Sequence, residues 1–305
     1  MNNLALPRRL PALVYLALYL AAASSAQPPG ITEWHPAFVG IEYGRTAVED
    51  PRPLRVHALR IDLKAPGLSF LATPRRADGQ MHTTGMTTGT FLSAYGLQAA
   101  INGAPFGPIH RDEGKPVNVV GLTVSEGVQV SPPTDLPALV ITRTNEARIA
   151  EPPFDLKDVH TAVAGFGVVL RRGEIVGKDD ALHPRTAAGI SQDGRTLYLM
   201  VIDGRQPGYS EGVTTAEVGA WLRALGAWDG INLDGGGTST MVIEDARRTP
   251  WILNLPIHAN MPGWQRVAGS HLGIRARRLR GGPRIPIAQS AIEADLGLFC
   301  VAGLR

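Results

Sequence analysis

The chain has 305 residues, a hydrophobic content of 44% and a formal net charge of +3. This length and composition suffice for one sizeable soluble domain with a large core. If Arg8 and Arg9 leave with an amino-terminal segment, 28 of the 30 basic residues face 27 acidic ones and the charge falls to +1. This near balance argues against nucleic-acid binding, and the basic run at residues 275–280 is typical of a solvated linker.

The amino terminus predicts a secretory signal peptide over residues 1–26. Arg8 and Arg9 form a basic start, residues 10–23 are apolar but short for a membrane span, and residues 24–26 are small enough for cleavage. The alternative is an uncleaved membrane anchor. Cys300 is the only cysteine, so no intramolecular disulfide exists, which fits an exported bacterial protein that is held by its core alone. We therefore expect a secreted or periplasmic protein without stable membrane insertion after cleavage.

The first half of the mature chain predicts mostly short strands. Residues 28–53 are expected to be rich in loops, and apolar alternation predicts strands over residues 54–63 and 68–72. Residues 87–95 predict a short helix, and residues 97–101 a strand that leads Asn102 into a turn. Further short strands are expected around turns at residues 125–127, 144–145 and 171–173.

A hairpin is predicted around Asp193-Gly194, a dipeptide typical of such turns. Its second strand, residues 196–202, is almost continuously apolar, which predicts a central strand buried on both faces. This strand ends in Asp203-Gly204-Arg205-Gln206, where charged residues are well placed to face a cleft. Arg185 lies on the paired strand, and its planar guanidinium suits a phosphate or a carboxylate.

The clearest predicted helix is capped by Thr214 or Thr215 and ends at Gly226. A strand over residues 230–233 then leads to Asp234. If the strands flanking this helix are parallel neighbours, the crossover rule places Asp203 and Asp234 at the same end of the sheet. We predict an α+β fold, with a mixed, strand-rich central sheet and a few packed helices, in one domain over residues 27–277. Residues 278–305 are expected to form a mobile tail, in which residues 288–298 have the pattern of a short helix.

The most informative segment is INLDGGGTSTM, residues 231–241. Its three glycines permit positive φ and leave no Cβ to block a ligand. Successive amides in such a loop can bind an anion, and Asp234 at its rim can act as an acid, base, nucleophile or metal ligand. The alternative is a tight turn between a strand and a helix.

Three sequence motifs precede or include this loop: HPRTAAGI, DGR and VIDGRQPGYSEGVTTAEVGAWLRALGAWDGINLDGGGTSTM. They closely resemble the phosphodiester glycosidase family. AINGAPF at residues 100–106 resembles an earlier family segment, with Ala104-Pro105 where a second glycine and an aromatic residue are common. LNLP at residues 253–256 and RVAG at residues 266–269 resemble degraded forms of later motifs. The resemblance extends from about residue 35 to residue 277.

This resemblance implies an exported hydrolase that cleaves a sugar-1-phosphate diester in a single catalytic domain. Asp234 is the first candidate for acid, base or nucleophile and Asp203 the second, because glycosidases usually use two carboxyl groups. Glu211 is a weaker candidate. Arg185 is expected to bind the phosphate together with the amides of the glycine loop. The expected substrate-binding residues are Asn102, Arg205, Gln206, Asn232, Gly235, Gly236, Gly237, Thr238 and Ser239.

Several alternatives stay open at this point. Asn102 also fits a turn residue, Arg185 a structural ion pair, and Asp203 a partner for Arg205. A non-catalytic carbohydrate- or anion-binding protein that retains the pocket is the rival function. No serine-hydrolase elbow or complete P-loop is present. Glycosyl phosphate linkages in cell-wall, capsular or other exopolysaccharide polymers are the expected substrates.

The sequence requires no cofactor, but it leaves a calcium or magnesium ion open. Asp203, Asn232 and Asp234 offer oxygen ligands suited to these ions. No histidine–cysteine cluster has zinc spacing, and His183 is expected to orient a loop or Arg185. The sequence does not specify the sugar or the oligomeric state.

Overall fold

The structure, a computed structural model, describes residues 28–285. The predicted signal peptide, Cys300 and the predicted helix over residues 288–298 therefore lie outside the described residues. Within them, strands account for 41% of residues and helices for 8%. The described part of the chain contains no helix that is long and apolar enough to cross a membrane.

The strands are mostly short, and two α-helices and one 3₁₀ turn complete the described elements. The first part of the chain forms β1 (Trp34–Phe38), β2 (Ile41–Val48), β3 (Leu54–Asp62), β4 (Ser69–Ala72), β5 (Thr83–Thr84), α1 (Thr88–Ala94), β6 (Ala99–Asn102), β7 (Phe106–Gly107), β8 (Pro116–Val119), β9 (Thr123–Ser125), β10 (Val128–Ser131), β11 (Ala138–Thr142) and β12 (Ala147–Ala150). The second part forms β13 (Val159–Ala164), β14 (Gly167–Arg171), β15 (Glu174–Ile175), β16 (Arg185–Ile190), β17 (Thr196–Ile202), α2 (Thr215–Leu225), β18 (Asp229–Asn232), the 3₁₀ turn (Gly236–Thr238), β19 (Met241–Glu244), β20 (Pro250–Ile252), β21 (Ile257–His258), β22 (Met261–Pro262) and β23 (His271–Arg275).

Three larger sheets build the domain. The first has the strand order β1-β2-β3-β17-β16-β18-β14-β15, the second β10-β9-β13-β11-β12, and the third β20-β19-β6-β23-β4. Smaller sheets contain β21-β22 and β5-β8-β7. Adjacent strands in the described sheets pair antiparallel, including the pairs that β16 makes with β17 and β18.

The predicted α+β class is wrong, because the fold is nearly all β. The prediction gave weight to the crossover helix α2, which suggested a mixed sheet. The hairpin at Asp193-Gly194 instead inserts β16 between β17 and β18, so the crossover creates no parallel neighbours. The loop-rich beginning is also wrong, since β1 and β2 occupy much of residues 28–53. Their alternation is short and is interrupted by Pro36 and Gly44, which obscured the strand pattern.

The first sheet is covered on both faces, as the apolar run of β17 predicted. One face of β17 contributes to the core shared with the other two large sheets: Leu197, Leu199 and Val201. The other face contributes to the core beneath α2: Tyr198, Met200 and Ile202. The period of two along a strand explains this division, because successive side chains point to opposite faces.

Helix α2 has the ends that its sequence predicts. Thr214 accepts a hydrogen bond from the Glu217 amide, and the Glu217 side chain accepts one from the Thr214 amide, which forms a capping box. Gly226 ends the helix with φ of 105°. Trp221 and Leu222 are buried against the first sheet, so the predicted strand–helix–strand unit is confirmed.

The beginning of the predicted tail packs against the domain. Arg278 forms an ion pair with Glu244 at 2.6 Å, and the Arg284 amide donates to the Pro36 carbonyl at 2.9 Å. Ile285 is buried in the large core. The packed part of the chain therefore extends to at least residue 285, past the predicted boundary at residue 277.

Candidate active site

Three predicted site residues lie at the same end of three central strands of the first sheet. β16 runs antiparallel to both β17 and β18, so these two strands run in the same direction with β16 between them. Asp203 follows β17, Asp234 follows β18, and Arg185 begins β16. The prediction that both aspartates lie at the same end of the sheet is confirmed, although their strands are not neighbours.

The shape of the glycine loop is set by groups that pack against its backbone. Gly236 has φ of 64°, a conformation that favours glycine. A Cβ on Gly235 would lie 2.8 Å from the Pro184 carbonyl oxygen, and a Cβ on Gly237 would lie 2.7 Å from Cζ of Arg266. A side chain at these two positions would therefore clash with backbone or displace a guanidinium group.

The amides of this loop are mostly engaged within the protein. The Gly236 amide donates to the Pro184 carbonyl at 2.8 Å. The Gly235 amide interacts with the Asp234 carboxylate. Two of the three amides that were predicted to bind an anion therefore face protein acceptors, and other donors must provide most of the binding.

The Asp234 carboxyl group lies at the rim of the loop, where it is surrounded by protein but keeps part of its surface open. Its Oδ2 accepts a hydrogen bond of 2.9 Å from Oγ1 of Thr238. Burial raises the pKa of Asp234 to about 6, although Thr238, the Gly235 amide and Arg266 each act to lower it. The group therefore changes protonation close to neutral pH, as a catalytic acid or base does.

Asn102 holds the glycine loop from inside the protein. Its amide nitrogen donates to the Asp234 carbonyl at 2.6 Å and to Thr238 Oγ1 at 3.4 Å. Its amide oxygen accepts from Thr186 Oγ1 at 2.7 Å and from the Thr240 amide at 3.2 Å. These four bonds use the hydrogen-bonding capacity of the side chain, which is 1% exposed. The substrate contact predicted for Asn102 stays a prediction, and the contacts in the structure are with the loop.

Two arginines flank the loop without a carboxylate partner. Arg205 donates from Nη2 to Nδ1 of His183 at 3.2 Å, and Arg266 donates from Nε to Nδ1 of His258 at 3.2 Å. Within residues 28–285, neither guanidinium has a carboxylate oxygen at ion-pairing distance. Because each Nδ1 accepts a hydrogen bond, we assign the ring proton of both histidines to Nε2.

The electrostatics of this pair of arginines favour an anion. Burial lowers the pKa of Arg205, and the charges of Arg266 and Arg185 lower it further. Burial also lowers the pKa of His183 and His258, and nearby arginines add to that effect. Both imidazoles are therefore neutral at pH 7. Positive charge that is gathered at a loop with no carboxylate at ion-pairing distance is well suited to bind an anionic ligand.

Arg185 lies close to this cluster, but its side chain is engaged within the protein. The guanidinium donates to Asp179 at 2.6 Å, to the Ala181 carbonyl at 2.7 Å and to the Val213 carbonyl at 3.1 Å. The residue is buried. Its predicted contact with phosphate stays a prediction, and these bonds show that it anchors the segments at residues 179–181 and 213.

Asp203 is a buried acceptor rather than an open carboxylate, since it is 1% exposed. It accepts hydrogen bonds from the Asn254 side chain at 2.8 Å, the Leu255 amide at 3.0 Å and the Tyr209 hydroxyl at 3.3 Å. Gln206 donates to the Leu255 carbonyl at 2.9 Å. Both predicted site residues thus hold the segment at residues 254–255, and a catalytic role for Asp203 stays a prediction.

The other predicted site residues have limited access. Asn232 and Ser239 are buried, and Thr238 is buried beneath Asp234. Glu211 contributes its backbone carbonyl to the Arg205 amide at 3.2 Å. Within the described residues, no three His, Cys, Asp or Glu side chains form a group that could hold a metal ion.

The sequence reasoning missed three residues of this site: His258, Arg266 and Asn254. Asn254 links Asp203 to the end of the glycine loop, because it also bonds the Ser239 carbonyl at 3.0 Å and the Met241 amide at 2.9 Å. A signal was present for two of them, since Asn254 lies in LNLP and Arg266 begins RVAG. The departure of these words from the family motifs hid their importance.

Comparisons with known proteins connect this geometry to a family. The family model described as phosphodiester glycosidase matches residues 95–275, which is more than half of the chain. The chain belongs to the phosphodiester glycosidase family. The resemblance predicted from the sequence is thereby confirmed, and the matched segment contains both Asp234 and the two unpaired arginines. A search of curated proteins finds no match.

Solved structures of this family's fold are similar to the chain. The catalytic domain of zebrafish N-acetylglucosamine-1-phosphodiester α-N-acetylglucosaminidase, auto-inhibited by its pro-peptide, is 20% identical with a TM-score of 0.60, over 80% of this chain and 88% of that domain. A hypothetical protein from Synechocystis is 12% identical with a TM-score of 0.53, over 78% and 62%. A candidate exported protein from Burkholderia pseudomallei is 17% identical with a TM-score of 0.53, over 73% and 74%. At these identities the likeness shows the fold.

Proposed function

We propose that this protein is an exported hydrolase that cleaves a sugar-1-phosphate diester between the anomeric carbon and the phosphate oxygen. The observation that carries the proposal is one partly exposed carboxyl group, that of Asp234, beside two arginines that have no carboxylate at ion-pairing distance. A substrate with an anionic phosphate on its anomeric carbon matches both parts of the site. The family membership supports the same reaction class.

Arg205 and Arg266 are the proposed phosphate ligands. Each keeps guanidinium N–H groups beyond the one that its histidine accepts, and the fork geometry suits phosphate oxygens. The Nε2–H groups of His183 and His258 are further neutral donors. This assignment replaces Arg185 as the main phosphate ligand, because the bonds of Arg185 to Asp179, Ala181 and Val213 already use its side chain.

The ionised form of Asp234 is the proposed reactive form. When the bond to the anomeric carbon breaks, a phosphate monoester leaves as a weakly basic anion. Two arginines stabilise its charge, so the leaving group needs little help from an acid. Asp234 then acts on the anomeric carbon, as the nucleophile or as the base that activates water. In either case water supplies the new sugar hydroxyl and its other proton is released, and the products are the free sugar and a phosphate monoester.

Asn102 and Asp203 are proposed to position this machinery. Asn102 fixes the Asp234 backbone from the third sheet. Asp203 acts through Asn254, which holds the carbonyl of Ser239 and the amide of Met241 behind the loop. Hydrogen bonds of this kind fix the direction of a catalytic carboxylate.

The experiment that tests the proposal combines product analysis with an oxygen label. The secreted protein, with its signal removed, is incubated with methyl diesters of several sugar 1-phosphates in ¹⁸O-water. We expect free sugar and methyl phosphate, with the label in the sugar. Label in the phosphate would show attack at phosphorus and would refute the glycosidase mechanism. The Asp234→Asn variant should give no product while it remains folded.

The rival function, a non-catalytic carbohydrate- or anion-binding protein, predicts a different result. It requires saturable binding of a diester with no product at any enzyme concentration, with and without added calcium or magnesium. The same incubations, repeated with a chelator, therefore also decide whether a metal takes part. Growth-medium and cell fractions from a producing strain would test export.

A further inference from the structure

A second feature has one residue in common with the site, His258. It is a cavity of about 450 Å³, within the size range of small-ligand sites. Ala259, Met261, Trp264 and Val267 form much of its wall. His258 lines this cavity and also accepts the hydrogen bond from Arg266. The cavity therefore shares His258 with the proposed phosphate position.

Part of the wall is polar, since His110, Arg111, His258 and Gln265 line it and Arg111 is exposed. Two of these side chains are committed to the protein. Nε2 of His110 bonds the Pro116 carbonyl at 3.3 Å, and Oε1 of Gln265 accepts from the Gly89 amide at 3.3 Å. None of the lining residues that the structure describes is Asp or Glu. A sugar ring needs acceptors for its hydroxyl groups, and this cavity offers few. The chemistry of its wall fits a hydrocarbon group instead.

Apolar side chains also reach solvent at the mouth of the cavity. Met261 is 42% exposed and Trp264 is 39% exposed, and Ile109, which precedes the lining residue His110, is 56% exposed. An exposed group of large apolar side chains beside a cleft is typical of a ligand-binding surface. The Trp264 and His258 rings pack edge-to-face with their centroids 6.0 Å apart, and this contact links the exposed apolar side chains to the phosphate position.

We propose that this cavity is the aglycone subsite and that it binds an apolar aglycone, a hydrocarbon chain carried on the substrate phosphate. The proposal rests on the proposed function and specifies its substrate class: sugar-1-phosphate diesters of an apolar alcohol. The sugar lies on the Asp234 side of the arginine pair, and the hydrocarbon chain extends over His258 toward Trp264. Burial of the chain contributes binding that a methyl ester cannot provide.

The test compares three diesters of one sugar 1-phosphate, with methyl, octyl and hexosyl aglycones. In the wild type, kcat/KM for the octyl diester should exceed that for the methyl diester by at least roughly 15-fold, because each buried methylene contributes about a factor of four and burial of two of them already gives this ratio. The Trp264→Ala variant should lower this octyl-to-methyl ratio by about 5-fold or more. Val128→Ala is the control, since Val128 is 57% exposed and lies on another sheet, and it should leave the ratio unchanged.

The outcomes separate this proposal from the function on which it rests. Hydrolysis of the methyl diester with an octyl-to-methyl ratio near one, or a preference for the hexosyl diester, would overturn the apolar subsite and leave the glycosidase intact. If no diester is hydrolysed, calorimetry with octyl phosphate and methyl phosphate decides the subsite alone. Tighter binding of octyl phosphate that is lost in Trp264→Ala supports it, and equal binding of the two phosphates overturns it.

Discussion

Replacement of Gly237 by alanine tests the role of Arg266 without removing its charge. The added Cβ would lie 2.7 Å from Cζ and Nη2 of Arg266 and 2.8 Å from Nε. Non-bonded atoms of this kind settle at about 3.5 Å, so the guanidinium must move by roughly 0.8 Å. Gly237 has no positive φ, so its backbone accepts alanine. The change should therefore act through the guanidinium and not through the fold.

The expected loss follows from the interaction that is displaced. A hydrogen bond to a charged group contributes about 1.5–3 kcal/mol, so Gly237→Ala should lower kcat/KM for a methyl phosphodiester by roughly 10- to 150-fold. A neutral glycoside of the same sugar should be a poor substrate already and should lose less than about 3-fold, because it presents no phosphate to Arg266. Gly167→Ala is the matched control, since nothing lies within 4 Å of its added Cβ.

A double-mutant cycle with Arg266→Ala completes the assay. If Gly237 acts through Arg266, adding Gly237→Ala to the Arg266→Ala variant should change kcat/KM by less than about 2-fold. A full additional loss in that background would refute the reasoning, and so would an equal loss on the neutral glycoside. Unfolding temperatures of the four proteins show whether folding is intact.

Three further outcomes are expected. Activity should rise as the pH increases through about 6, the pKa to which burial raises Asp234, because the ionised carboxylate is the reactive form. A pH–rate profile that falls through this region would show that the protonated acid is the active form. Arg185→Lys should lower the free energy of unfolding by about 1–3 kcal/mol, measured in urea, because the hydrogen bonds of Arg185 hold the protein and not the phosphate. It should lower kcat/KM for charged and neutral substrates by the same factor. A selective loss on the phosphodiester would contradict this. His271 is buried with its pKa lowered to about 3, so unfolding takes up a proton and the free energy of unfolding falls as the pH drops from about 6.5 toward 3. Asp234 has the opposite effect between pH 6 and 4, because its raised pKa makes the folded protein bind the proton more tightly. The free energy of unfolding of Asp234→Asn, measured in urea, should therefore fall more steeply over that interval, and an unchanged slope would argue against the raised pKa of Asp234.

The parts of the structure that the sequence predicted are those with a local signal. The ends of α2 follow from Thr214, Glu217 and Gly226, which act within one turn of the helix. The burial of β17 on both faces follows from its unbroken apolar run. The common end of Asp203 and Asp234 was predicted on the condition that their strands are parallel neighbours. It holds for another reason, since two strands separated by one antiparallel neighbour run in the same direction.

The fold class depended on information that is not local. Which strands become neighbours is decided by packing between distant segments, as in the pairing of β3 with β17. A crossover helix is compatible with both a parallel pair and an inserted antiparallel strand, and α2 alone does not distinguish them. The class was therefore wrong although most of the individual strands were found.

The roles of the charged residues depended on the same kind of information. Asp203 and Arg185 stand at the predicted end of the strands, but Asn254 and Asp179 engage them there. Asn254 comes from a distant segment, and Asp179 comes from the loop just before Arg185, whose conformation the sequence pattern does not specify. Arg205 and Arg266 remain without such partners, and they lie close enough for their positive charges to repel each other. Asp234 carries the carboxylate that acts on Arg266 through charge, and an anionic ligand would balance the remaining positive charge. The unpaired arginines therefore point to an anionic substrate more directly than the glycine motif does.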